Sequence, residues 1–209
     1  MAGSKRGMNR PWNRPLGSVC GIIAGAALAG GCGDGTPAFR GPTAALYTSE
    51  GTIVLGLHRD RTPTSVDNFL SYVDAGHYDG LIFHRIVPGF MIQAGGFDRD
   101  MTPREPDRPA IQNESDAGSS NLRGTISMAR TPAPHSAQAQ FFINLVDNQG
   151  LDHEAQGAGV WGYAVFGEVI EGLDVVDRIG AVATRPAPPI SEGLPVDPVV
   201  IDSARVLSR

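Results

Sequence analysis

The residues best suited to chemistry lie in one stretch, FHRIVPGFMIQAGG, over residues 83–96. It carries one charged side chain, Arg85, and one amide, Gln93, among apolar neighbours. The dipeptide Pro88-Gly89 indicates a turn, so the stretch is predicted to form a hairpin. A guanidinium and an amide held on an apolar surface form a site that donates hydrogen bonds without transferring protons. The alternative is a plain core hairpin with an arginine at its edge.

Strand alternation predicts which side chains of this hairpin share a face. Residues two apart on a strand point the same way. Arg85 is therefore expected to lie opposite His84, which we assign to the core. By the same rule Met91 and Gln93 share a face.

Several kinds of catalytic machinery are missing from the sequence. No nucleophile elbow and no GxxxxGK[ST] phosphate loop is present. The five histidines do not have the spacing of metal ligands, and both cysteines fall within the first 32 residues. We therefore predict no metal and no cofactor.

Rotation about an X–Pro peptide bond is a reaction that a donor on an apolar surface can accelerate. The amide barrier is about 18–20 kcal/mol because conjugation is lost midway. Unaided exchange between the two X–Pro isomers takes tens to hundreds of seconds. A guanidinium beside the twisted amide would stabilise it more than either planar form.

Composition limits the partners of the chain. With 209 residues and 41% hydrophobic residues, it has the size of one domain plus a tail. Residues 32–209 carry 13 basic and 22 acidic residues, and such an acidic surface argues against nucleic acid as a partner.

The first 42 residues resemble an export segment. Residues 1–14 are basic, and residues 16–31 form an apolar run that suits a signal-peptide core and is short for a bilayer span. Small residues before Cys32 resemble a bacterial lipoprotein signal, although Ala29 stands where leucine is usual. We predict a signal peptide over 1–31, lipidation at Cys32, and a tether over 32–42. A plain cleaved signal and an uncleaved tail are the alternatives.

The rest of the chain, 43–209, is predicted to be one β-rich domain. Short strands alternate with turn residues, and two helices are predicted, one after Thr62-Pro63 and one over 173–179. The segments 97–122 and 183–198 are predicted as loops because they are rich in proline and polar residues. Without a βαβ rhythm, the pattern favours a closed antiparallel barrel.

Four separated blocks of sequence resemble the cyclophilin-type peptidyl-prolyl isomerases, near the bacterial single-domain kind. They are EGTIVLGL, PTSVDNFLSYVDAGHYDGLIFHRIVPGFMIQAGG, RGTISMARTPAPHSAQAQFFINLVDN and GYAVFGEVIEGLDVVDRI. The resemblance implies a closed eight-stranded antiparallel β-barrel capped by two helices, with an active groove on its outside.

The resemblance also implies a set of site residues. Arg85 matches the catalytic arginine of that family. The positions that match substrate-binding residues are Phe90, Met91, Gln93, Ala129, Gln140, Phe142, Leu151 and Tyr163. Phe141, which alternates with Phe142, is expected to point into the barrel.

Three positions depart from the family pattern. Gly150 stands where relatives often carry an aromatic residue, which puts tight cyclosporin binding in doubt. Arg130 replaces an asparagine and is expected to alter the preference for residues flanking proline. Ala94 replaces a glycine, a conservative change if its backbone φ is negative.

The sequence thus predicts an exported, monomeric isomerase of the cell envelope that faces the periplasm. It would act on proline-containing polypeptides to assist their folding, either from a lipid anchor in the membrane or as a soluble protein. The rival function is a non-catalytic module that holds proline-containing segments in the same groove. A barrel carrying an apolar molecule inside is disfavoured, because the strands carry bulky Phe, Ile and Val that would fill the interior.

Overall fold

Short runs rich in apolar and β-branched residues form most of the strands. The computed structural model describes residues 39–117, 119–188 and 190–209. The strands and helices are Thr43–Thr48 (β1), Gly51–Leu57 (β2), Pro63–Asp74 (α1), Arg85–Val87 (β3), Met91–Ala94 (β4), Thr125–Met128 (β5), Phe141–Asn144 (β6), Val165–Glu171 (β7), Leu173–Gly180 (α2), Thr184–Ala187 (β8), Ile190–Pro195 (β9) and Ile201–Ser208 (β10).

Eight antiparallel strands form one strongly curled sheet in the order β10-β1-β2-β7-β5-β6-β4-β3. In the described part of the chain no continuous ladder joins its edge strands, β3 and β10. An isolated bridge between Ile82 and Val200 lies near that seam instead. The all-β class with two helices is confirmed, but the prediction of a closed barrel is overstated, because the sheet is a curled half-barrel.

Side chains fill the concave face of the sheet. Phe69 of α1 meets Phe141 edge-on at 5.6 Å and Phe166 at 5.3 Å between ring centroids. All three rings are fully buried. Phe141 therefore points inward as predicted, and the interior is packed with side chains, as expected from the bulky strand residues.

Helix α1 begins at Pro63, directly after Thr62, as predicted. The Thr62 side chain does not cap the helix. The Glu114 carboxylate does so from the loop, accepting hydrogen bonds from the backbone N–H of Thr64 at 3.0 Å and of Ser65 at 2.8 Å. A carboxylate at this end also interacts favourably with the helix dipole. The polar 97–122 loop therefore contributes to the stability of α1.

The predicted loop over 183–198 is wrong in one respect, because it contains the two-stranded sheet β8–β9. This hairpin packs on β3. Gly193, at φ +80°, lies so close to Ile86 that an added Cβ would sit 2.5 Å from the Ile86 carbonyl oxygen. Leu194 beside it is 5% exposed. Tertiary contact thus supports a hairpin that its proline-rich sequence does not indicate.

The export segment lies largely outside the described residues, including the predicted signal, Cys32 and residues 32–38. The last four residues of the predicted tether are described. The Leu57 N–H donates to the Pro42 carbonyl at 2.9 Å, and the Phe39 ring packs on Gly56. The division into signal, tether and domain stays a prediction. Within the described residues, no helix combines the length and apolarity needed to cross a membrane.

Candidate active site

A cavity of about 320 Å³ opens on the convex side of the sheet. It brings together eight of the nine residues that the sequence predicts for catalysis and binding, and Arg130 joins them. The lining residues are Arg85, Phe90, Met91, Gln93, Ala129, Arg130, Phe142, Leu151 and Tyr163. The remaining predicted residue, Gln140, lies beside them and accepts a hydrogen bond from the Gln93 amide at 2.9 Å.

Strand register places the two polar side chains of residues 83–96 together. Arg85 is the first residue of β3 and pairs directly with Gln93 on β4. Gly89 adopts φ +71° in the turn between these strands, a conformation that glycine accepts without strain. Phe90 lies in that turn, so strand alternation does not apply to it and it lines the cavity with Met91.

Phe142 and Tyr163 supply the aromatic wall. Phe142 pairs with Gln93 across β4 and β6, so its ring stands on the cavity side. The Tyr163 ring meets it edge-on, with centroids 5.5 Å apart and planes at 80°. The Tyr163 N–H donates to the carbonyl oxygen of Leu151 at 2.9 Å, which fixes two lining residues relative to each other.

A chain of amide side chains, two of them buried and one partly exposed, connects this wall to Phe90. Asn121 donates through Nδ2 to the Asp152 carboxylate at 2.9 Å, next to Leu151. Asn144 approaches the Asn121 side-chain oxygen at 3.4 Å, and Asn148 donates to Asn144 at 2.8 Å. The same Asn148 amide donates to the Phe90 carbonyl at 2.8 Å. Sequence reasoning missed this network. Its one sequence signal is an asparagine inside an otherwise apolar strand, FFINL.

Arg130 lies on the rim of the cavity. Its guanidinium stacks on Tyr163 at 4.6 Å, and its Nε donates to the Gly162 carbonyl at 3.0 Å. It also lines a second cavity of about 390 Å³ together with Gln93, Ala129 and Gln140. The groove therefore consists of two adjoining cavities with Arg130 at their boundary.

The wall at Gly150 is open. This residue is exposed, and a Cβ added to it would meet no described atom within 4 Å. The missing aromatic is therefore not replaced by a neighbour there. Ala94, in contrast, is fully buried in β4, and its φ is not positive, which fits the prediction of a conservative change.

Arginine supplies the fixed charge of the described lining. No carboxylate, imidazole or thiol lines the 320 Å³ cavity among the described residues. His84 is 1% exposed, so it is buried as predicted, and its ring meets Phe97 edge-on with centroids 4.9 Å apart. Burial lowers the pKa of His84 to about 4, so its ring is neutral at pH 7. The site can hold an apolar ring and donate hydrogen bonds.

Arg85 has a partner that sequence reasoning missed. Its Nη2 donates to the Glu192 carboxylate at 2.5 Å, from the β8–β9 hairpin. Its Nη1 lies 3.8 Å from the sulfur of Met91, inside the cavity. No local pattern signals the pair, since the two residues are 107 positions apart.

Comparison with known proteins gives a family match. Residues 43–206 match the family described as "Cyclophilin type peptidyl-prolyl cis-trans isomerase/CLD". The chain is similar to peptidyl-prolyl cis-trans isomerase cyp18 of Streptomyces antibioticus, with 53% identity over 79% of this chain and 98% of that protein. It is also similar to peptidyl-prolyl cis-trans isomerase B of Escherichia coli strain K12, with 47% identity over 77% of this chain and 97% of the relative.

A solved structure supports the fold. The cyclophilin-type peptidyl-prolyl cis-trans isomerase of Cryptosporidium parvum, crystallised in the presence of the dipeptide Ala-Pro, superposes with a TM-score of 0.61. The match covers 80% of this chain and 99% of the other at 22% identity.

Proposed function

Since the chain belongs to the cyclophilin-type peptidyl-prolyl cis-trans isomerases, we propose that its isomerisation of X–Pro bonds depends on Arg85 in the 320 Å³ cavity. The observation that carries this assignment is the position of Arg85. It stands at the edge of a cup formed by Met91, Phe142 and Leu151, with part of its guanidinium facing that cup.

The chemistry follows from the electronic structure of the amide. At the midpoint of rotation the conjugation between nitrogen and carbonyl is lost, and the proline nitrogen regains a basic lone pair. A preorganised N–H donor interacts with that state more strongly than with either planar isomer, which lowers the barrier. No proton has to be transferred and no covalent intermediate forms, so the site needs neither an acid nor a nucleophile.

The apolar cup has a separate task. Met91 and Phe142 are almost fully buried and offer the pyrrolidine ring an apolar surface. Holding the ring still lets the chain before proline turn. Gln93 and Gln140, joined by their own hydrogen bond, supply amide groups for the substrate backbone beside the cup.

Removing the guanidinium tests the role of Arg85. We expect Arg85→Ala to lower kcat/KM about 10²–10³-fold, the usual loss for one preorganised donor. Arg85→Lys should recover little, because an ammonium does not reproduce the planar fork. Exchange between cis and trans proline peptides measured by NMR provides the rate without a coupling protease. The control is Arg178→Ala, which removes an exposed arginine of α2 that pairs with Asp174. Equal activity of Arg85→Ala and the control would overturn the assignment.

The non-catalytic binding module has less support than the enzyme. Two curated relatives at 53% and 47% identity are both named as isomerases. Arg85 and Phe142, whose loss would have favoured the rival, line one cavity.

Export rests on the sequence of residues 1–32 alone. We propose that the chain is cleaved before Cys32, acylated there, and assists the folding of proline-containing envelope proteins as a monomer. Mass spectrometry of the purified N-terminus tests processing and acylation together. A first residue other than Cys32, or an unmodified Cys32, would contradict the anchor, and sedimentation analysis tests the monomer.

A further inference from the structure

We propose that Glu192 is a positioning residue for isomerisation, which fixes the guanidinium of Arg85 in the orientation that serves the cavity. The inference rests on the proposed role of Arg85 and adds a residue from the β8–β9 hairpin. The observation behind it is the contact of 2.5 Å between Arg85 Nη2 and the Glu192 carboxylate.

The hairpin reaches Arg85 without depending on Glu192. Gly193 fits against the Ile86 backbone, and Leu194 is buried, so the two residues that follow Glu192 are fixed by packing. Ile86 is the neighbour of Arg85 on β3. The hairpin therefore delivers a carboxylate to one defined place beside Arg85.

The ion pair selects which nitrogen faces the substrate. With Nη2 held by Glu192, Nη1 is the nitrogen nearest Met91, which lines the cavity. A free arginine side chain samples many rotamers, and an anchored one has lost part of that freedom before substrate arrives. Preorganisation of this kind raises kcat, since the donor is in place when the amide twists.

A carboxylate so close to the catalytic charge also has an opposing effect, because it weakens the field of the guanidinium. Exposure decides which effect is larger. The Glu192 side chain is 58% exposed and the Arg85 side chain 26%, so water screens the carboxylate from the cavity. At low salt the direct contact of 2.5 Å still orients the guanidinium. We therefore expect removal of the carboxylate to slow the reaction.

Two substitutions of Glu192 test the charge and the length of its side chain one at a time. Glu192→Gln keeps the length of the side chain and removes its charge, and Glu192→Asp keeps the charge and shortens the reach. We expect each to lower kcat about threefold at low salt with KM unchanged, in the range of partly exposed ion pairs. Glu171→Gln is the matched control, because Glu171 is an exposed glutamate at the end of β7, outside the groove.

The test is a double-mutant cycle with Arg85→Ala, read by NMR exchange on a peptide without charged groups. The effect of Glu192→Gln should vanish in the Arg85→Ala background. Added sodium chloride should lower the wild-type kcat toward that of Glu192→Gln and leave the variant unchanged.

The outcomes distinguish this inference from the assignment of Arg85. Full activity of Arg85→Ala overturns the assignment and, with it, the role of Glu192. A large loss in Arg85→Ala with wild-type or higher kcat in Glu192→Gln overturns the positioning role alone. The same is true if Glu192→Gln slows both backgrounds equally, since the effect would then be structural.

Discussion

The Asn148 side chain connects the loop that precedes Leu151 to the turn that carries Phe90, so its removal tests how the site is assembled. Its amide nitrogen donates to the Phe90 carbonyl and to the Asn144 side-chain oxygen, both at 2.8 Å. Asn148→Ala removes both bonds and leaves the backbone of the loop intact. We expect lower stability and weaker substrate binding, with the catalytic step retained.

The loss of stability can be estimated from what each acceptor keeps. The Phe90 carbonyl still accepts the Leu145 N–H at 2.9 Å, so its loss is about 0.5–1 kcal/mol. Asn144 is fully buried, and among the described residues its side-chain oxygen has no other donor. An unsatisfied buried acceptor costs about 1–3 kcal/mol. The sum is about 1.5–4 kcal/mol, which corresponds to a melting temperature lower by roughly 3–16 °C.

The effect of Asn148→Ala on substrate binding follows from the position of Leu151. Leu151 donates its N–H to the Asn148 carbonyl at 2.8 Å, so this lining residue moves with Asn148. Without the bridge, the distance from Leu151 to Phe90 is less well defined, and the cup holds the proline ring less tightly. We expect KM to rise severalfold and kcat to change little, because Arg85 is held by other contacts.

Urea unfolding and NMR exchange kinetics measure the two effects on the same samples. Gln149→Ala is the matched control, since Gln149 is the adjacent exposed residue. If Asn148→Ala matches that control in both unfolding free energy and KM, the bridge does not hold the groove together. A fall in kcat with constant KM would also refute the reasoning, because it would place Asn148 in the catalytic step.

Three further predictions test the wall, the core and the helix cap. Gly150→Phe should lower KM severalfold by closing the open wall, which steady-state kinetics would show; an unchanged KM means that the ring does not reach substrate. Because burial lowers the pKa of His84 from 6.5 to about 4, its contribution to stability is complete above pH 6.5 and is lost as the pH falls to 4. Urea unfolding at several pH values should show a loss of about 3 kcal/mol over that range, and His84→Phe should flatten the slope; equal slopes in both proteins would refute the assignment. Glu114→Ala should destabilise the protein by about 1–2 kcal/mol, because Thr64 and Ser65 lose their cap; a smaller loss than that of the exposed control Glu171→Ala would contradict it.

The strands were predictable where local pattern and tertiary environment agree. β1 forms at Thr43–Thr48, a run of residues of which four are buried in the folded chain. β8 and β9 were missed because their stability comes from packing on β3, which proline-rich sequence does not reveal. The closed barrel was overstated for a related reason. Closure depends on pairing between the two edge strands, and no property of either strand sequence specifies it.

The sequence predicts those site residues that belong to recognisable family motifs. Arg85, Gln93 and Phe142 were found because family resemblance identifies them, and the register of β3, β4 and β6 then places them in one cavity. The residues that hold these side chains and the cavity wall in position were not predicted. Glu192 and Asn148 act on residues 107 and 58 positions away, so only the folded chain brings them into contact.

Asn148 and Glu192 act through different kinds of interaction, so substrate binding and the catalytic step can be tested separately. Asn148 joins the walls through neutral hydrogen bonds to partly buried groups, which salt barely affects. Glu192 holds Arg85 through an ion pair open to water, which salt weakens. Ionic strength should therefore change the turnover of a neutral peptide while its affinity stays constant. Loss of the Asn148 amide should do the reverse, because the cup and the donor are held by different elements of the fold.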